Sequence, residues 1–240
     1  MSTLIRLEYA ASSDVDIDGM YGNIGTTVRA KVKNLAYTKS VSVYSNFGAS
    51  DQTASAMTWI ANFGNYDLFG FAISGSFWTG RGAVSCTEAG STDWDTNGSA
   101  GYPLYVGGSF IGGNVALCQA VAQQGASGSV QTSWIEGIIL VNNLSYAKNV
   151  GIRYTTNNWA TWTDASATFS QPFESGENGE SSPGNGEQWS FTTPVTSYDH
   201  ASASFEFAVF YQRLDTGEWF WDNNFSQNYT LSKVAGTTIQ

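Results

Sequence analysis

The sequence predicts an all-β protein made of two tandem antiparallel β-sandwiches. Three observations predict it: a composition of strand and turn formers, short β-patterned runs at close spacing, and an internal repeat. Aromatic residues make up 15% of the chain, nine of them Trp, and 26 Gly accompany abundant Ser, Thr and Asn. Aromatic and β-branched side chains suit a pleated, half-buried surface, while Gly and Asn supply tight turns. Hydrophobic residues form 42% and charged residues 12% of the 240, which favours packed cores over disorder.

The runs Ile138-Ile139-Leu140-Val141, Val150-Gly151-Ile152-Arg153-Tyr154 and Phe205-Glu206-Phe207-Ala208-Val209-Phe210-Tyr211 read as strands bounded by turn residues. About eight such runs fall in each half, a density that suits an antiparallel sandwich. No segment carries the period of an amphipathic helix.

The repeat has three anchors in constant order. Asn34-Leu35-Ala36-Tyr37-Thr38-Lys39-Ser40-Val41 returns 109 residues later as Asn143-Leu144-Ser145-Tyr146-Ala147-Lys148-Asn149-Val150. Phe69-Gly70-Phe71 corresponds to Trp189-Ser190-Phe191, and the Trp94–Tyr102 stretch to Trp221–Tyr229. The growing offset places insertions in the second copy, one in the turn-forming residues 175–186 and one around residues 196–200. The expected domains are therefore residues 1–110, a divergent copy, and 111–240, the better-matching copy, with a boundary near Gly107 to Gly113.

Twenty acidic and ten basic residues leave a net charge of -10. That balance argues against nucleic acid and anionic membrane as partners, since both need cationic surface. No stretch approaches the roughly 20 apolar residues of a membrane span, and residues 1–6 lack an apolar signal core. No membrane insertion and a cytoplasmic location are expected, with release by a non-classical route left open. Cys86 and Cys118 each sit in a short apolar stretch and read as free thiols, or as a bridge between the copies.

An enzyme reading finds little support. His200 is the single histidine and falls in the second insertion, so neither a triad nor a histidine-rich metal site has its parts. A glycosidase needs only two carboxylates, but no paired acidic motif stands out. The acidic stretch from Glu174 to Glu187 lacks the spacing of a dedicated calcium loop. Neither cofactor nor metal is expected.

The Trp excess exceeds what packing alone requires, because an exposed indole is costly without a partner. A hydroxyl-rich, uncharged ligand, an oligo- or polysaccharide, fits that excess. The apolar face of a pyranose lies flat on an aromatic ring, and Asn presents both donor and acceptor to hydroxyls. Trp221 with Asn223 and Asn228 forms such a set, or else Trp221 caps a core while the asparagines shape a turn. Trp159 and Trp162 lie in a loop marked by Asn157-Asn158, at a turn tip that suits exposure. Trp189 alternates with Phe191 and reads as core. Lys39 and Lys148 are strand-end charges or sugar donors.

The segments Val32–Val41, Tyr154–Trp159 and Trp221–Tyr229 resemble the family 21 carbohydrate-binding modules, the starch-binding and glycogen-targeting domains. The resemblance covers most of the second copy and, more weakly, the first. It implies that each copy is an immunoglobulin-like sandwich and that the protein is a non-catalytic, lectin-like binder of α-glucan or another glycan. It further implies one sugar site on Trp159, Trp221, Asn223 and Asn228, with Ala208 where relatives often carry Tyr and Phe225 where they carry Asn. A second site is implied on Asn143, Tyr146, Lys148 and Phe169 in the second copy, and on Asn34, Tyr37, Lys39, Tyr66 and Trp59 in the first. The first copy lacks an Asn-Trp loop, and its Trp94 motif carries Thr96, Gly98 and Gly101 in place of asparagines. Some relatives bring protein phosphatase to glycogen, so a targeting adaptor is the rival reading; its docking peptide would be a basic-x-Val-x-Phe segment, and Lys31-Val32-Lys33-Asn34 lacks the aromatic. A storage or defence lectin against foreign glycans is a third.

Overall fold

A computed structural model describes residues 4–12, 25–35, 38–74, 80–104, 109–127, 129–173, 186–197 and 204–240. All its sheets are antiparallel, and among the described residues the only helical element is the single turn Gly112–Asn114. The chain divides into two compact units, Met1–Asn114 with Pro172–Glu187, and Val115–Gln171 with Gln188–Gln240. The first unit thus includes, besides its continuous stretch, the described residues 172–173 and 186–187. Phe173, 1% exposed, meets the Tyr9 ring edge-on there, and the Gly186 N–H donates to Ser109 Oγ at 3.0 Å.

Among the described residues of the first unit ten strands follow in order: β1 Ile5–Ser12, β2 Gly25–Lys33, β3 Ser40–Ser45, β4 Thr53–Ala56, β5 Thr58–Asn62, β6 Tyr66–Ser74, β7 Gly80–Glu88, β8 Ser91–Asp95, β9 Tyr102–Leu104 and β10 Ser109–Ile111. One sheet has the order β10-β1-β2-β6-β5 and the other β4-β3-β7-β8, with β9 on β7. Their inner faces close on one core, with Ile5, Leu7, Val28, Ala30 and Val32 from the first sheet and Val41, Val43, Val84 and Cys86 from the second. Alternation along each strand puts these residues on one face.

The second unit, with residues 172–173 and 186–187 at the ends of β14 and β15 counted in the first, holds β11 Val115–Ser127, β12 Val130–Asn142, β13 Lys148–Thr155, β14 Thr163–Phe173, β15 Gly186–Thr192, β16 Thr196–Ser197, β17 Ser204–Arg213, β18 Trp219–Asp222, β19 Tyr229–Ser232 and β20 Thr238–Ile239. Its strand order is β18-β17-β13-β14-β15-β12-β11-β20, with β19 on β17 and β16 on β12. With ten added to the numbers of the first three strands and of the last four, and the middle strands matched in turn, the two units have the same neighbours. One strand, β14, serves the edges that β4 and β5 serve in the first unit. The second expected insertion begins as β16, paired to β12 through Thr132 and Ser197.

Among the described residues ten strands stand in each unit, where about eight runs were expected, because elements of three or four residues such as β9 and β10 carry too little alternation to read. Cys86 and Cys118 are free thiols, Cys86 fully buried and Cys118 half-buried. Burial pushes the Cys86 thiol up to about 11, and the nearby Glu88 charge adds to the effect.

Candidate functional site

The outer face of the second unit's β13-β14-β17-β18 layer is built by alternation. Phe205, Phe207, Val209 and Tyr211 of β17 point into the core and are buried, so Glu206, Ala208, Phe210 and Gln212 face outward. Register then sets their neighbours: Thr155 lies opposite Glu206, Arg153 opposite Ala208, Gly151 opposite Phe210, and Trp221 opposite Phe210 on the other side. Ala208 and Phe210 are nonetheless only 4% and 5% exposed, because larger side chains lie over them.

Those side chains form a row of planar groups. The Trp219 and Trp221 rings are near-parallel, 10° apart in plane and 5.7 Å between centroids, and each meets Phe210 at 5.5 Å. The Arg153 guanidinium lies 5.2 Å from the Trp221 ring and 5.7 Å from Trp162. Asp164 accepts from Arg153 Nε at 2.7 Å and Nη2 at 2.8 Å, a two-point pair that fixes the guanidinium plane. The hydrogen bonds that Arg153 donates to Asp164 raise the Arg153 pKa above its ordinary value. Trp219 is 42% and Trp162 58% exposed.

Trp159 stands at the end of this face, on a loop organised by two side chains. Thr155 Oγ1 accepts from the Asn157 and Trp159 N–H groups and donates to Asn157 Oδ1. Asn157 in turn accepts from the Thr161 N–H at 3.0 Å and donates to Thr161 Oγ1 at 2.8 Å. The winding forces positive φ at Asn158 (53°) and Trp159 (63°). A bulky residue in that region costs about 1–3 kcal/mol, so the surrounding bonds hold the indole where it would not stand alone. Its Nε1–H donates to Glu206 Oε2 at 2.8 Å, and the ring is half-exposed.

The 222–229 loop sits beside Trp221. Asp222 accepts from the Leu117 N–H at 2.9 Å and the Tyr229 hydroxyl at 2.6 Å. Asn224, 3% exposed, donates to the Asn228 carbonyl at 3.0 Å, and Asn223 accepts from the Ser226 N–H at 3.1 Å. The first unit repeats this wiring. Asp95 accepts from the Leu7 N–H at 2.8 Å and the Tyr102 hydroxyl at 2.7 Å, and Asn97 donates to the Gly101 carbonyl at 3.3 Å. The motif's amides thus serve the loop's own shape in both units, while Asn223 and Asn228 remain half-exposed beside Trp221.

In the first unit Trp94 is half-exposed and packs on Tyr44 (4.7 Å, 43°) and Phe47 (5.7 Å, 44°). Tyr44 holds, in the repeat frame, the place of Arg153. The second set of expected residues gathers around Asp67, which accepts from Asn62 Nδ2 at 2.7 Å and Trp59 Nε1 at 3.4 Å and pairs with Lys39. Lys39 also donates to Asn34 Oδ1 at 3.0 Å. Burial pushes the Asp67 carboxyl up, but the bonds from Lys39, Asn62 and Trp59 outweigh it and leave it below the usual carboxylate range. Trp59 is 56% exposed.

Tyr66 corrects the expectation: it is 2% exposed, stacked on Phe63 with Lys31 over its ring. Alternation puts it on the face of β6 opposite Asp67 and the core residue Phe69, where Phe63 and Lys31 cover it. Tyr37 and His200 lie outside the described residues, as does the acidic stretch from 174 to 185. In the second unit Tyr146 is fully exposed, Phe169 is 47% exposed, and Lys148 donates to Asn143 Oδ1 at 2.6 Å. Trp189 is half-buried instead of enclosed, its ring edge-on to Phe169 at 5.9 Å.

Sequence reasoning missed Arg153, Asp164, Glu206, Trp219 and the Tyr44–Phe47 pair. Only Trp219 left a signal, the alternation Trp219-Phe220-Trp221 that puts two indoles on one face of a strand.

These half-exposed indoles on a β face lie within the stretch that matches, as a single module, the family model for the carbohydrate/starch-binding module (family 21), residues 114–232. Similar proteins include the Bos taurus protein phosphatase 1 regulatory subunit 3C, 29% identical over 106 residues, which are 44% of this chain and 30% of that protein. The Drosophila melanogaster glycogen-binding subunit 76A is 31% identical over 104 residues, 43% of this chain and 14% of that protein. The matched region thus spans less than a third of either relative's length. A solution structure of the carbohydrate-binding module of the muscle glycogen-targeting subunit of protein phosphatase-1 aligns at 27% identity and TM-score 0.31, over 48% of this chain and 76% of that one.

Proposed function

We propose that the chain is a non-catalytic, lectin-like carbohydrate-binding protein composed of two copies of one immunoglobulin-like sandwich, residues 1–110 and 111–240, with an α-glucan as ligand. The observation that carries the reading is the row of indoles on the outer face of the second unit, in the stretch that matches family 21. Trp159 and Trp221 stack sugar rings, and Asn223 and Asn228 reach hydroxyls. Tyr146 with Phe169 forms a second platform, held by the Asn143–Lys148 bond, and Trp59 with Lys39 and Asn34 its counterpart. Trp94 serves the first copy's outer face. The equal strand neighbours and the shared wiring of Asp95 and Asp222 support duplication. Two modules on one polymer gain avidity without new contacts.

Calorimetric titration of the whole chain with soluble starch or glycogen tests the reading. Heat of binding that Trp159→Ala or Trp221→Ala weakens sustains it; no binding of any polymer by the native chain overturns it. A second reading, a phosphatase-targeting adaptor, is favoured by the names of the relatives. The Lys31–Asn34 segment is not its docking peptide, since Lys31 and Val32 are buried in β2, with Lys31 paired to Glu8 at 2.9 Å. Co-purification of the phosphatase catalytic subunit with the whole chain tests it.

A further inference from the structure

We infer that the glycan site of the second unit is an elongated platform, Trp162–Arg153–Trp221–Trp219, in which Trp219 and Trp162 add flanking subsites that take a linear run of several sugar units. This inference rests on the reading of that face as a sugar platform.

Successive groups in the row are 5.7, 5.2 and 5.7 Å apart, so the row is longer than one pyranose ring. Its two ends are its most exposed parts, with Trp162 at 58% and Trp219 at 42%. An indole left that open on an edge strand is costly unless a ligand covers it. Trp219 sits on Phe210, so its plane is set before any ligand arrives. Between the indoles, Arg153 is flat, and its charge is offset by Asp164. Trp219 is stacked on Trp221 and Arg153 lies over the Trp221 ring, so the row leaves its end indoles, Trp162 and Trp219, as its open rings. With hydrogen-bond donors between them and the Arg153 charge offset by Asp164, the row suits neutral sugars and not uronic or phosphorylated ones. Trp219 and Trp221, two positions apart on β18, share one face, so a glycan would run along the strand.

The experiment is a calorimetric series of α-1,4-glucan oligomers, from the disaccharide to the heptasaccharide, with the whole native chain and its Trp219→Ala, Trp219→Phe and Trp162→Ala variants. Expected for the native chain is affinity that climbs with each added unit. In Trp219→Ala the climb stops early, with the heptasaccharide about three- to ten-fold weaker, the disaccharide within two-fold, and Trp219→Phe recovering most of the loss. Oxidative labelling of the native chain reads the same point without substitution: the heptasaccharide protects Trp219 and Trp162, and the disaccharide does not. A native climb that both alanine variants reproduce, with Trp219 labelled equally at all lengths, overturns the elongated platform and leaves the Trp159–Trp221 site standing. No binding at any length overturns both.

Discussion

The Trp159 indole donates its Nε1–H to the Glu206 carboxylate at 2.8 Å while its own backbone is held at φ 63°. The loop fixes where the ring stands, and Glu206 fixes how it is turned. Glu206→Ala removes the second constraint only. We expect glycan affinity to fall about two- to ten-fold, the range of one net hydrogen bond of about 0.5–1.5 kcal/mol, with Glu206→Gln retaining most of it. Calorimetry measures the loss, and a thermal melt within a degree or two of native checks that the fold is intact. Equal affinity in native and Glu206→Ala chains would remove Trp159 orientation from the site.

A buried carboxylate in each unit ties a loop to a distant strand. Asp222 bonds the Leu117 N–H and the Tyr229 hydroxyl, as Asp95 bonds the Leu7 N–H and the Tyr102 hydroxyl. Truncation leaves both donors unpaired out of water, so Asp222→Ala and Asp95→Ala are each expected to cost about 2–5 kcal/mol. Urea unfolding measures the cost, and amide exchange locates it: Leu117 loses protection in the first variant and Leu7 in the second.

This repeated wiring marks where the sequence was legible. Alternation made the strands readable, and the recurrence of Trp-Asp-x-Asn pointed to a duplicated loop. What the spacing could not tell is which way an amide points: Asn224 turns inward to Asn228, whereas a sugar site would want it outward. The Arg153–Asp164 pair crosses a hairpin between residues without local pattern, so nothing in either position announced it. Tyr66 was expected beside Trp59 and Lys39 from the family resemblance, yet a single step along a strand moves a side chain to the other face.

Acid sensitivity follows from Asp67. Its carboxyl lies below the usual range, because the bonds from Lys39, Asn62 and Trp59 outweigh the effect of burial. A lowered folded pKa contributes stability that is present above the unfolded value of about 3.9 and lost as pH falls through the folded value. First-unit stability is therefore expected to lose this contribution below about pH 4. Asp67→Asn is less stable at neutral pH and has a flatter acid limb. Trp59, whose Nε1–H loses a charged acceptor, reports the step by fluorescence.

Gly151 supports the indole row from beneath. A Cβ there would stand 2.4 Å from the Ala165 carbonyl oxygen and 2.9 Å from Phe210 Cζ. The carbonyl belongs to the paired strand β14 and cannot swing away, so Gly151→Ala must push β13 or Phe210 aside. The cost of such overpacking is about 1–3 kcal/mol. Phe210 carries Trp219 and Trp221, each at 5.5 Å, so the same substitution should disturb the near-ultraviolet Trp signal and weaken glycan binding. Gly217→Ala is the contrast: a Cβ there meets nothing within 4 Å, but φ is +76°. It should cost about 1 kcal/mol through backbone strain alone, with the Trp signal and binding preserved. Thermal unfolding, circular dichroism and calorimetry on the two variants separate the outcomes. A Gly151→Ala chain with native Trp ellipticity and native affinity would mean that Phe210 does not position the row.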